Sequence, residues 1–318
     1  MKKYDVVALG ELLIDFTVNG MSNQGNVLYE ANPGGAPCNV LAMLNKIGKK
    51  TAFIGKVGED IFGNRLKATL EEVGIDTTNL LIDKDVRTTL AFVETLKGGD
   101  RDFSFYRNPG ADMMLKVSDL NEELLKSTRL FHYGTLSMTH EGCREATIRA
   151  ISVAKESGAI ISFDPNLRPP LWESLDEAKK QVEYGLAHCD VLKIADNELV
   201  WFTGEDDYDK AMAILRSKYD IPLIFLSLGS EGSRAYYKDI CVEMKSYLRE
   251  DTIETTGAGD TFGACCLNFV LDNGLENMNE DILKNMLNFA NAAASIITTK
   301  KGALKVMPDV DSINAVLR

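Results

Sequence analysis

Short apolar runs alternate with amphipathic stretches from one end of the chain to the other. Residues 6–9, 52–54, 130–133, 159–163, 191–194 and 223–227 are bounded apolar runs that read as strands. Between them, residues 37–47, 66–73, 141–156 and 175–187 carry apolar side chains at helical spacing. Val40, Leu41, Leu44 and Ile47 mark the first of these helices, and Ser157-Gly158 ends the third. Strands of this kind, separated by helices, predict an α/β protein: a mainly parallel sheet covered on both faces, with its ligand at the carboxyl ends of the strands.

Two segments break the alternation. Residues 11–30 have no helical period. Residues 88–107 hold Thr89, Leu90, Phe92 and Val93, then a turn at Gly98-Gly99-Asp100, then Phe103, Phe105 and Tyr106, the composition of a hairpin. Strands outside the main sheet are expected to form a small sheet covering the site.

Composition narrows the partners. The chain has 318 residues, a net charge of −12 and 45% hydrophobic residues. It has no basic run, which argues against nucleic acid and anionic membrane as partners. Neither a signal-peptide core nor a membrane-spanning stretch is visible, so the expected location is the cytoplasm. Six cysteines without a CxxC pair read as small core residues, and three separated histidines lack metal-ligand spacing.

The most chemically informative stretch is residues 254–264, ETTGAGDTFGA. An apolar run, 262–271, follows and reads as a buried helix with Gly274 as its stop. Gly257, Ala258 and Gly259 then sit at a helix N-terminus, where backbone amides lack intrahelical acceptors and small residues admit a phosphate. Asp260 stands at the edge of that anion pocket, placed to take a proton from a hydroxyl attacking a phosphoryl group. The amides of Ala258 to Asp260 are expected to carry the transferred charge. A second motif, residues 32–48, contains Gly34-Gly35, which permits close backbone approach, and Asn39, which offers a donor and an acceptor.

These two motifs, in this order at opposite ends of the chain, resemble the ribokinase-like (pfkB-type) sugar kinases over essentially the whole length. The resemblance implies a three-layer α/β/α sandwich with a mainly parallel central sheet and a small β-sheet lid. It also implies one domain over 1–318, with lid segments at 11–31 and 88–108. Asp260 matches the family's catalytic base and Gly257, Ala258 and Gly259 its anion hole. Asp15, Gly34, Gly35 and Asn39 match its sugar-side residues, and Lys193, Ser227, Gly229, Gly232 and Asn288 are expected on the nucleotide side. The Ala-rich run 291–295 looks like the segment near adenine.

Residues 162–172, SFDPNLRPPLW, and 103–115, FSFYRNPGADMML, look most like fructokinases. They add Arg107, Asp164, Asn166 and Arg168 as sugar or phosphate contacts, and the run Pro109-Gly110-Ala111-Asp112 favours fructose. Similar stretches occur in 2-keto-3-deoxygluconate kinases, which stay open as the alternative, beside a non-catalytic sugar or nucleotide sensor. A nucleoside kinase would favour a more apolar sugar-side pocket. Implied cofactors are ATP and Mg²⁺, with Glu198 holding Mg²⁺ through water, and K⁺ is a candidate at Glu254. A homodimer through the lid is the implied assembly. Two departures stand out: Ala195 occupies a position where the family commonly has Asn, and Glu254 one where it usually has Asp. No GxxxxGK[ST] motif and no HRD or DFG pair is present, which argues against P-loop and protein kinases.

Overall fold

The computed structural model describes residues 2–95 and 101–318. Its strands are β1 (Tyr4–Leu9), β2 (Leu13–Met21), β3 (Val27–Gly34), β4 (Thr51–Gly58), β5 (Asp76–Asp83), β6 (Leu90–Thr95), β7 (Arg101–Tyr106), β8 (Thr128–Gly134), β9 (Ile160–Asp164), β10 (Val191–Ala195), β11 (Leu223–Ser227), β12 (Ser233–Tyr237) and β13 (Ile240–Met244). The helices are α1 (Ala36–Lys46), α2 (Ile61–Glu72), α3 (Glu122–Lys126), α4 (Glu141–Glu156), α5 (Leu175–His188), α6 (Asp196–Thr203), α7 (Tyr208–Lys218), α8 (Ala258–Asn273), α9 (Glu280–Ile297) and α10 (Val310–Val316).

Nine strands form the main sheet in the order β13-β12-β11-β10-β9-β8-β1-β4-β5. Every pair from β11 to β5 is parallel, and β12 and β13 close one edge as an antiparallel hairpin. Apolar side chains fill both faces. One cluster joins the sheet to α1, α2, α8 and α9, the other to α4, α5, α6 and α7. The fold is therefore the expected ribokinase-like three-layer sandwich. Helix α8 is apolar nearly all round because it lies inside, with Cys265, Cys266 and Leu267 buried among neighbours, and Gly274 ends it at φ 84. No helix among the described residues is long and apolar enough to cross a membrane.

The chain leaves β1 toward β4 on one side and later returns as β8 on the other. Strand order thus reverses at β1, and the carboxyl ends of β1 and β8 mark the crevice where open α/β sheets bind ligands.

The irregular segments make a second sheet in the order β3-β2-β6-β7. Alternation gives it two different faces. Asp15, Thr17, Asn32, Val93 and Phe105 face the crevice. On the other face Phe16 stacks on Phe92 at 4.8 Å, and Tyr29 and Tyr106 meet Phe92 edge-on. Strand β6 pairs antiparallel with β7, as a hairpin requires. The expected turn Gly98-Gly99-Asp100 lies outside the described residues.

Candidate active site

Gly257 caps α8 at φ 75, in the left-handed region. A Cβ there would come within 2.5 Å of the Ala303 Cβ, so only glycine admits the loop carrying Ala303. The helical ladder begins with Thr261, whose amide donates to the Gly257 carbonyl at 2.8 Å. The Ala258 amide donates to the Thr255 carbonyl at 3.2 Å. This corrects the expectation that Ala258 presents its amide to an anion: the tight turn into α8 engages it, and the Gly259 and Asp260 amides remain at the helix start. Gly259 has no side chain to keep the Lys193 ammonium away, since a Cβ there would lie 3.3 Å from Nζ.

Asp260 Oδ2 accepts from Asn39 Nδ2 at 2.8 Å, so the two glycine-rich motifs meet side chain to side chain. Burial raises the Asp260 carboxyl above the ordinary range, against the pull of Asn39, Lys193 and Arg168. The Asn39 carbonyl oxygen is buried and has no partner among the described residues, leaving an acceptor for a ligand donor.

At the ends of β9 and β10, Lys193 Nζ lies 3.1 Å from Asp164 Oδ2. Burial works against the Lys193 ammonium, but Asp164, Glu198 and Asp260 outweigh it and keep the proton on. The Asp164 carboxyl is raised by burial and by Glu198 and Asp260, which together exceed the pull of Lys193. Asp164 Oδ1 also accepts from the Asn166 amide at 3.2 Å, holding Asn166 at φ 42, a conformation that asparagine tolerates. Arg168 donates to the Leu167 carbonyl and faces the same cavity.

Glu198 is buried, accepting from the Leu167 amide at 2.7 Å and the Ala195 amide at 2.9 Å. The Ala195 methyl cannot cap α6, and Glu198 supplies only the return half of a capping box, accepting from the Ala195 amide. Glu254 Oε1 accepts from the Gly302 amide at 2.8 Å.

These groups surround a cavity of about 330 Å³ between the small sheet and the carboxyl edge of the main one, near the lower end of the roughly 300–1,000 Å³ usual for small-molecule sites. Asp15, Gly34, Gly35, Asn39, Asn166, Arg168, Lys193, Glu254, Gly257, Gly259 and Asp260 all line it, and Asp164 stands behind Lys193. The Asp15 carboxylate lies across Gly34, where a Cβ would fall 2.3 Å from Oδ2. Gly35, at φ 129, leaves no room for a Cβ against the Glu11 carbonyl.

Arg107 is a correction. Its guanidinium is buried, pairs with Asp112 at 2.7 Å, and donates to Thr139 Oγ1 and the Leu136 carbonyl. With its donors engaged inside the protein, it does not line the cavity. Thr89 Oγ1 also donates to Asp112, so the run Pro109–Asp112 roots the small sheet and does not touch the ligand space. The expected nucleotide side is separate too. Ser227 pairs in register with Ala195 on the carboxyl edge, and Gly229 and Gly232 shape the next turn. Asn288 accepts from the Tyr247 hydroxyl, and Asn291 ties β13 down through the Met244 and Lys245 carbonyls. None of Ser227, Gly229, Gly232 or Asn288 lines the cavity, because packing and turn geometry hold them along the β11–β13 edge.

Sequence reasoning missed Glu11, Thr17, Asn32, Gly302 and Ala303, all of which line the cavity. Alternation along β2 gives Thr17 the same face as Asp15, and strand pairing sets Asn32 opposite Asp15. Gly302 and Ala303 reach the site only through the tertiary fold.

A pfkB family carbohydrate kinase pattern matches residues 3–310. The chain is 42% identical over 305 residues to a probable fructokinase-2 of Arabidopsis thaliana, covering 95% of this chain and 92% of that protein. The crystal structure of a Xylella fastidiosa fructokinase with bound ATP superposes with a TM-score of 0.90 at 26% identity, covering 100% of this chain and 98% of the other. A double mutant of the Vibrio cholerae O395 fructokinase, bound to fructose, ADP and potassium ion, gives 0.89 at 28% identity, with both chains covered fully. A chain that matches the family pattern from residue 3 to residue 310, with both glycine-rich motifs closing on one cavity, belongs to the pfkB family of carbohydrate kinases.

Proposed function

We propose that the protein is an ATP-dependent fructokinase that phosphorylates O6 of fructose, working as one domain over 1–318 with the small sheet, segments 11–31 and 88–108, as its lid. The observation that carries this reading is Asp260 at the start of α8, facing a cavity whose opposite wall holds Asp15. The sugar lies between Asp15, Gly34, Gly35, Asn39, Asn166 and Arg168. Asp260 accepts the proton of the attacking hydroxyl. The Gly259 and Asp260 amides and the Lys193 ammonium stabilise the charge on the phosphoryl group in transfer. The rest of the nucleotide runs toward Ser227, Gly229, Gly232 and Asn288. The fructokinases of Xylella fastidiosa and Vibrio cholerae, bound to ATP and to fructose with ADP, support the choice of substrates.

Among the described residues no three His, Cys, Asp or Glu side chains cluster as a metal cage. Glu198, whose two carboxylate oxygens each accept one backbone amide and keep further acceptor capacity, would contact Mg²⁺ through water, and the ion, held largely by the substrate phosphates, would neutralise their charge. K⁺ is assigned to Glu254, through the oxygen not bonded to Gly302. We further assign the protein to the cytoplasm, as a homodimer through the lid.

Arg168, a cation facing the cavity, favours a second reading in which the substrate is a sugar acid such as 2-keto-3-deoxygluconate. ADP release measured with ATP, Mg²⁺ and a panel of fructose, ribose, tagatose 6-phosphate, 2-keto-3-deoxygluconate and adenosine, with and without K⁺, separates the two. Turnover on fructose is expected. Turnover confined to the sugar acid replaces the substrate and keeps the mechanism, and silence across the panel removes the reading.

A further inference from the structure

Glu11 follows β1 at the point where strand order reverses, and it is 4% exposed. Its Oε1 accepts from the Ala36 amide at the start of α1, at 2.7 Å. That bond alone is a modest reason to bury a carboxyl, since a helix start is ordinarily capped by a neighbouring Ser, Thr, Asp or Asn. Burial pushes Glu11 up to about 7, opposed by its own backbone amide and that of Ala36 and by Arg107, and reinforced by Asp112. A carboxylate accepts about four hydrogen bonds, so two amides leave acceptor capacity. Glu11 lines the main cavity and also a void of about 10 Å³ behind it, shared with His132, Asp164 and Asn166.

We propose that Glu11 determines specificity: its carboxyl hydrogen-bonds one hydroxyl of the sugar from the cavity floor and, with Asp15 on the lid wall, excludes substrates bearing a carboxylate there. This rests on the fructokinase reading and deepens it. A polyol offers hydroxyl donors to two acids, whereas the carboxylate of a sugar acid has no donor to offer them. Sites built around a buried polar group reject analogues that leave it unpaired.

The test is steady-state kinetics of wild type and Glu11→Gln on fructose and its 1-, 3- and 4-deoxy analogues. In wild type, one analogue loses about 10–100-fold in kcat/KM, the range for a hydrogen bond to a charged group. Glu11→Gln loses a similar factor on fructose, adds no further loss on that analogue, and leaves the KM for ATP unchanged. A merely structural role would leave the fructose-to-analogue ratios of the variant equal to those of wild type for every analogue, which overturns the inference. Should the variant not fold, the Glu11 carboxyl carbon resonance in the unaltered, ¹³C-labelled protein gives the same decision. Fructose shifts it if the inference holds, and no shift overturns it. Wild type silent on fructose overturns the fructokinase reading and this inference together; equal ratios with active wild type overturn this inference alone.

Discussion

Two buried ion pairs flank the cavity. At the root of the small sheet Arg107 meets Asp112 at 2.7 Å, and at the end of the main sheet Lys193 meets Asp164 at 3.1 Å. By sequence both cations are candidates for a sugar or phosphate. Their surroundings separate them. Arg107 is flat and five-donored, and its donors point at Asp112, Thr139 and Leu136, so the guanidinium fastens β7 to the turns below it. Lys193 carries three donors on a flexible stem, and it donates to Asp164 beside a cavity that it lines. A buried cation holds the fold when its donors are engaged inside the protein, and serves chemistry when some still face the ligand.

The largest effect expected is a calibration of the site itself. Asp260→Asn keeps the shape of the side chain but removes the proton acceptor, and kcat is expected to fall by about 10²–10⁴-fold. Fructose binding, read by calorimetry, should stay within a few-fold. Turnover near the wild-type rate removes Asp260 from the role of base.

At the root of the small sheet the effect should appear in stability. Arg107→Met leaves Asp112 buried without its partner, a change that costs about 3–5 kcal/mol in denaturant unfolding. Adding Asp112→Leu should recover much of that loss, because two apolar groups no longer need solvating. If Arg107→Met instead unfolds like wild type and raises the KM for the sugar, Arg107 is a ligand after all.

Lys193→Met is expected to show the opposite division. Loss of a charge donor at the transferred phosphoryl costs about 10²–10³-fold in kcat. Asp164 stays buried without its cation, but its carboxyl is already displaced toward the neutral form, so it can protonate and limit the stability loss. A variant that unfolds as easily as Arg107→Met while turning over normally would make the two pairs alike.

The contrast also explains what was legible in the sequence. Period and punctuation announced the sheet, α8 and its stop at Gly274, because apolar runs and glycines act locally. The Gly257–Asp260 turn was legible because helix-start physics is local too, though the bond from Ala258 to Thr255 is a detail of the turn that no pattern carries. Arg107 was misread because a buried partner only five positions away looks, in sequence, like any polar loop. Glu11 went unnoticed because its chemistry depends on Ala36, 25 residues on, and on a cavity that two sheets make together. The Asn39–Asp260 bond likewise spans 221 positions, and only the folded chain shows one motif holding the other's carboxylate.

The smallest effect is on pH dependence, and it distinguishes the pairs without relying on rates or stability alone. Asp260 works as a base only when ionised, and burial raises its folded value above that of an unfolded carboxylate. Activity is therefore present above the raised value and lost as pH falls through it, so kcat/KM should show an acid limb above the ordinary carboxylate range. Stability runs the other way. A carboxyl raised on folding favours the folded state fully below its unfolded value, and that contribution is lost as pH rises through the folded value. Lys193 pulls Asp260 and Asp164 down. In Lys193→Met both should rise, and the acid limb should move to higher pH. Arg107 is not among the groups acting on Asp260, so Arg107→Met should leave the limb where it is. Equal movement in both variants would mean that the two cations share one electrostatic field, and the division between root and site would fail.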